Sequence, residues 1–322
     1  MVTHYDDRGR IDGGRMQAHI ANLVPHVKGL LVPGSTGDGW EMESEEVREV
    51  LGLALEAAGR HELHVLAGVL KTGGDEALRM ALETAEWLRE RTGVRDMDAL
   101  WGETPLCGFT FCPPKGAELS QEAIRTALEG LLEAGYPTAL YQLPQVTLNE
   151  MEPGLVADLA RRFGNFILFK DTSGADHVAL SGEDLEGVVL VRGAEGDYAK
   201  WPSSAGGPYH GFLLSTANCL AETFAELLKH LDAGEREAAM ELSGRLTLAV
   251  NEVFDLVTGL PEGNPFANAN KAMDHYFAHG PGAAGVAPPR LHAGGHLPRE
   301  VVASVGGVLE RYRLMPRRGY LG

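Results

Sequence analysis

Lys170 closes the apolar run Phe166-Ile167-Leu168-Phe169 and is followed by Asp171-Thr172-Ser173-Gly174. An amine at the end of an apolar strand is partly desolvated, which favours the uncharged form that attacks a carbonyl. The other lysines stand mostly in polar helix or loop contexts; Lys71, before Thr72-Gly73-Gly74, is the rival nucleophile. A salt-bridging or snorkelling Lys170 is the alternative reading. Tyr141 stands one strand earlier, on the same side of its strand as Ala139 and Leu143, where a phenol could pass protons to and from the amine. Its alternative is a core tyrosine bonded to backbone. A third cluster, Pro33-Gly34-Ser35-Thr36-Gly37-Asp38-Gly39, follows a strand with three glycines and two hydroxyls. Successive N–H groups in such a turn can cradle an anion, and a carboxylate suits it better than a phosphate because the Gly-Lys-Ser/Thr ending of a P-loop is absent. A plain tight turn remains open.

Seven short β-rich runs alternate with stretches of helical period, at 29–34, 64–70, 107–113, 138–143, 166–171, 187–193 and 211–215. Helices are expected over 44–57, 120–134, 153–162 and 221–231. The first has Ser44 as N-cap and Val47 where a capping box wants Glu. After Ser215 the pattern is almost continuously helical, through 235–257, 268–278 and 299–313. This predicts an α/β fold, a (β/α)8 TIM barrel over residues 1–220, with the last barrel helix and a C-terminal helical extension over 221–322. Only Met1-Val2-Thr3-His4 remains for the first barrel strand, which is therefore expected to be truncated, cut short by a wrongly assigned start codon, or unusually short. An open dinucleotide sheet is disfavoured because no G-x-G-x-x-G follows the first strand.

A net charge of −17 argues against a nucleic-acid partner, and the longest apolar runs are too short to span a membrane. The N-terminal residues lack the pattern of a secretory signal. Three unclustered cysteines fit a reduced cytoplasm. His61 and His64 miss the spacing of a zinc helix, and the four tryptophans read as core or rim packing.

Taken together, GSTGD at 34–38, ALYQLP at 139–144, FKDTSG at 169–174 and GFLLSTAN at 211–218 resemble the dihydrodipicolinate synthase and N-acetylneuraminate lyase family. The resemblance runs in order over most of the chain. It implies a barrel with a helical C-terminal region, assembled as a homotetramer or homodimer. It implies that pyruvate or another 2-keto acid forms a Schiff base on Lys170, with Tyr141 and Ser35 as proton relay. Ser35 and Thr36 would hold the carboxylate, while Gly196 and Leu213 would line the keto-acid pocket. No metal or organic cofactor is implied, because the protonated imine is itself the electron sink.

This chain departs from the family pattern at several points. Gln142 replaces the Asn of the Y-N-x-P motif, and Asp38 replaces a Glu. Gln145-Val146-Thr147 stands where a true dihydrodipicolinate synthase carries an Arg for the aldehyde's carboxylate. Phe111 aligns with the second relay tyrosine, so Phe111 and Val146 are expected to line the second half of the pocket. Extra residues over 94–103 lengthen the approach to the following strand. The expected activity is thus a Schiff-base lyase or aldolase joining or splitting a 2-keto acid and an aldehyde or sugar acid, rather than a true dihydrodipicolinate synthase. A 2-keto-3-deoxy sugar acid dehydratase with the same lysine, and a keto-acid binding or regulatory protein without turnover, are the alternatives.

Overall fold

Runs of apolar, β-favouring residues bounded by Gly, Pro or Asp become strands because a parallel strand covered on both faces is apolar throughout. The computed structural model describes residues 1–94 and 96–322; Arg95, within the expected 94–103 insertion, lies outside the described residues. Seven strands occur among the described residues: β1 (Gly29–Val32), β2 (His64–Val69), β3 (Leu106–Phe111), β4 (Thr138–Gln142), β5 (Phe166–Asp171), β6 (Val189–Arg192) and β7 (Gly211–Phe212). The class is α/β, as expected. The chain packs into two compact units that interleave along the sequence: residues 1–63, 195–200 and 215–322 in one, 64–194 and 201–214 in the other.

In the unit containing 64–194, β2 to β7 pair parallel, each with the next in chain order. Parallel neighbours need a crossover, and helices Gly74–Thr92, Gln121–Leu132 and Pro153–Arg162 supply three of them. Helix Gly74–Thr92 is absent from the sequence reading, although Ala77, Met80, Ala81, Thr84, Ala85 and Leu88 form its buried stripe. The 94–103 insertion contributes a short helix, Met97–Glu103, directly before β3. Between β5 and β6 the only helix is the four-residue His177–Leu180.

In the other unit, the helix expected from Ser44 is capped one residue earlier. Glu43 is the N-cap and forms a capping box with Glu46, and the helix runs Ser44–His61. Helices Ala217–Asp232, Arg236–Val257, Pro265–His279 and Arg299–Arg311 make the C-terminal helical region. The expected first barrel strand does not form a ladder among the described residues. Residues 1–4 are instead buried and tied down singly: the Met1 ammonium donates to the Leu31 carbonyl (2.7 Å), the Val2 N–H to Asn218 Oδ1 (2.9 Å) and the Thr3 hydroxyl to the Gly37 carbonyl (2.8 Å). No described helix is long and apolar enough to cross a membrane.

Candidate active site

Strand register fixes which side chains share a face with Lys170. Tyr141 pairs with Lys170, and Lys170 with Val191. Because neighbours in register point the same way and successive residues alternate, Tyr141, Lys170 and Val191 share one face. The Lys170 ammonium sits 3.9 Å from the centroid of the Tyr141 ring, and Lys170 is only 8% exposed. Space for the lysine is kept by Gly193, where a Cβ would run into Lys170 Cε and Thr172 Oγ1. The same alternation puts Thr110 on this face, through its pairing with Ala139 and that of Ala139 with Leu168. Cys112 follows with the same parity, and burial pushes its thiol up while the Lys170 charge pulls it back. The hydroxyls of Thr110 and Thr172 are buried without a hydrogen-bond partner.

Phe111 corrects the sequence expectation. It pairs with Leu140, which pairs with Phe169, so its ring lies in the row between those of Thr110 and Tyr141 and points to the opposite face. There it packs at 6.2 Å, centroid to centroid, from Phe109. A motif aligned by position does not know which way a strand residue faces. Gln142 shares that opposite face: it pairs with Asp171, its Oε1 accepts from the Met151 N–H (2.7 Å), and its amide nitrogen is buried without a partner.

Val146, half-buried, stands in the one-turn helix Pro144–Thr147, whose neighbour Gln145 donates to the Thr172 carbonyl at 3.0 Å. Leu213, just past β7, is half-buried and hangs from the Arg192 carbonyl through its N–H (2.9 Å). Beneath these elements Arg192 grips Asp176 with two bonds of 2.9 and 3.0 Å, and the Tyr209 hydroxyl donates to Asp176 at 2.6 Å. Burial pushes the Tyr209 phenol well up, so it remains a donor. This network fixes β6 and the segment following β5.

In the other unit, Ser35–Gly37 form a 3-10 turn after β1, with Ser35 and Thr36 buried. Four contacts set its shape. The Trp40 indole N–H donates to Ser35 Oγ (2.8 Å), and Asn264 Nδ2 donates to the Ser35 carbonyl (3.1 Å). Asp38, left-handed at φ +61°, receives Lys271 Nζ at 2.7 Å and the Tyr5 hydroxyl at 3.0 Å. Both ends of that ion pair are buried, and burial pulls Lys271 down despite Asp38. Gly196, half-buried at φ +94°, is held by its neighbour Glu195, which accepts from Tyr198, Ser215 and both the N–H and hydroxyl of Thr216. Trp40, Lys271, Asn264 and Glu195 carry no role in the sequence reading. The signal for Lys271 was the one lysine in a helix rich in alanine and aromatic residues.

One buried group among the described residues has metal-ligand geometry: His4, His19 and Asp274. Its polar atoms are already engaged with one another and with protein. His4 Nε2 and His19 Nδ1 are hydrogen-bonded at 2.9 Å, His19 Nε2 meets the Asn218 carbonyl at 2.7 Å, and Arg15 donates to Asp274 at 2.9 Å. A guanidinium on the carboxylate opposes a cation there.

Comparison with known proteins agrees with this architecture. The family model for the dihydrodipicolinate synthetase family matches residues 1–261. The 4-hydroxy-tetrahydrodipicolinate synthase of Agrobacterium fabrum (strain C58) is 26% identical over 268 residues, covering 79% of this chain and 81% of that protein. YagE from E. coli K12, a prophage protein of the dihydrodipicolinic acid synthase family solved with pyruvate, superposes with a TM-score of 0.75 at 21% identity, over 97% of this chain and 96% of that one. The 2-keto-3-deoxygluconate aldolase of Sulfolobus solfataricus, solved with D-KDPG, gives 0.70 at 19% identity, over 97% and 94%. The chain therefore belongs to the dihydrodipicolinate synthetase family, and it is an enzyme of the lyase, class I aldolase type.

Proposed function

We propose that Lys170 forms an imine with pyruvate or a related 2-keto acid, and that the protein makes or breaks a carbon–carbon bond next to that imine. The observation that carries the reading is the buried Lys170 amine against the Tyr141 ring on paired strands. The amine adds to the ketone carbon and the carbinolamine loses water; as the substrate's β-hydroxyl gives up its proton, the bond between the α- and β-carbons breaks, an aldehyde leaves, and the protonated imine accepts the electron pair. The resulting enamine takes a proton, and hydrolysis returns the keto acid and the free lysine. Tyr141 and Ser35 move the protons, Ser35 and Thr36 hold the keto-acid carboxylate, and Gly196, Leu213 and Val146 shape the pocket. Phe111 is not part of this assignment.

Gln145-Val146-Thr147 offers no guanidinium for the carboxylate of an aldehyde substrate, which argues against a true dihydrodipicolinate synthase. The unpartnered Thr110 and Thr172 hydroxyls favour a hydroxylated substrate, such as a 2-keto-3-deoxy sugar acid. The same two groups support a second reading, elimination of water from such an acid through the same imine. A homotetramer or homodimer in the cytosol completes the proposal.

The test is to incubate the protein with pyruvate and sodium borohydride and map the adduct by peptide mass spectrometry, with Lys170→Ala and Lys71→Ala as controls. An adduct on Lys170, lost only in Lys170→Ala, is expected. An adduct on Lys71, or on no lysine with any keto acid, overturns the reading. Release of pyruvate from hydroxylated sugar acids then separates the lyase from the dehydratase.

A further inference from the structure

Four arginines wall a cavity of about 1010 Å³ between helix Ala217–Asp232, helix Arg236–Val257 and the C-terminal strap: Arg245, Arg313, Arg317 and Arg318. These four have no ion-pair partner among the described residues, and the Arg245 Nε is buried with no acceptor. A buried guanidinium N–H without a partner costs free energy that an anion in the cavity would recover. The planar donor fork of arginine matches the oxygens of a phosphate.

The strap that carries three of the arginines is anchored. Tyr320 and Leu321 donate backbone bonds to the carbonyls of Phe277 (2.9 Å) and Ala278 (3.0 Å), and the Tyr320 hydroxyl reaches Asp274 at 3.0 Å. Gly319 lies so close to the Ala278 carbonyl that no side chain would fit. The wall is thus fixed to helix Pro265–His279 rather than trailing in solvent. Glu222 and Glu226, one turn apart on helix Ala217–Asp232, also face the cavity. Carboxylates accept hydrogen bonds from hydroxyls and repel a ligand that is anionic throughout.

We propose that this cavity binds a phosphate-bearing, hydroxylated small molecule, the arginines taking the phosphate and the two glutamates the hydroxyls. The assignment is independent of the imine chemistry, since none of these residues is placed in it. Calorimetric titration of the full chain with glucose 6-phosphate, inorganic phosphate and glucose, at matched ionic strength, tests it. Saturable binding of glucose 6-phosphate, tighter than inorganic phosphate and absent for glucose, is expected. Arg245→Gln and the double variant Arg317→Gln/Arg318→Gln should each weaken it about tenfold, the loss of a charge-assisted bond. The double variant lies on exposed residues and keeps the test valid if Arg245→Gln does not fold. Lys170→Ala should bind as the parent does. Failure of glucose 6-phosphate to saturate, unchanged binding in the arginine variants, equal binding of inorganic phosphate, or loss of binding in Lys170→Ala would each overturn the proposal. Dissociation of an oligomer by the arginine changes, with no ligand bound by the parent, would assign the surface to subunit contact instead.

Discussion

The Trp40 indole N–H points at Ser35 Oγ over 2.8 Å, and an indole nitrogen can only donate. The serine oxygen is therefore the acceptor in that bond, and its own proton must go to another partner. In the proposed reaction, that proton is available to the keto-acid carboxylate. Trp40→Phe keeps a ring and removes the donor. The half-saturating pyruvate concentration in the borohydride assay should rise by roughly 2- to 10-fold, the worth of one ordinary hydrogen bond. Thermal stability should change little. A variant with the parental concentration dependence would sink the role of Trp40.

Lys271 and Asp38 form a buried pair, and removing one end leaves the other charge stranded. Lys271→Met should cost about 3–5 kcal/mol in urea unfolding, because only the Tyr5 hydroxyl still serves Asp38. Lys271→Met/Asp38→Asn removes both charges and should recover much of that loss. If the double variant is no more stable than the single one, charge stranding is not the cause.

Phe111 faces Leu140 and Phe169, away from Lys170. Supplying a phenol there by Phe111→Tyr should leave the rate of imine trapping as it is. Stability should fall by about 1–3 kcal/mol as the hydroxyl enters an apolar layer. An accelerated reaction would mean that position 111 reaches the relay after all.

His4 is held well below its ordinary pKa: burial dominates, Arg15, His19 and Lys271 add to it, and Asp274 opposes. The folded His4 stays neutral below about pH 6.5, where the unfolded chain takes up a proton, so the unfolded state binds more protons and stability falls with falling pH. Each such histidine contributes up to about 1.4 kcal/mol per pH unit between its folded and unfolded pKa values. His275 and His279 are lowered as well, and act in the same direction. Denaturant midpoints at about pH 7.5 and about pH 5.5 should show the parent losing more stability on acidification than His4→Gln. Parallel losses would remove His4 from the account.

The facing of Tyr141 with Ala139 and Leu143 was legible because strand alternation is local, whereas its register against Lys170 joins two strands and was implied only by the family resemblance. Helix Gly74–Thr92 escaped because Gly73-Gly74 resembles an exposed turn and its stripe is built mainly from Ala, Met and Thr. Glu43 took the cap from Ser44 because Glu46, three residues on, completes the reciprocal pair. Phe111 was misplaced because motif alignment carries no facing. The clamp of Lys271 on Asp38 joins residues far apart in sequence, and no periodicity within either segment reports such a partner.

The turn at Ser35–Gly37 is shaped from a distance, by Lys271 of helix Pro265–His279 and by Asn264, the residue that caps its N-terminus. Both residues lie beyond the end of the family match at residue 261. The helical tail is consequently not a removable appendage. A catalytic module transplanted or truncated at that boundary would keep its serine and threonine yet lose the scaffold that presents them.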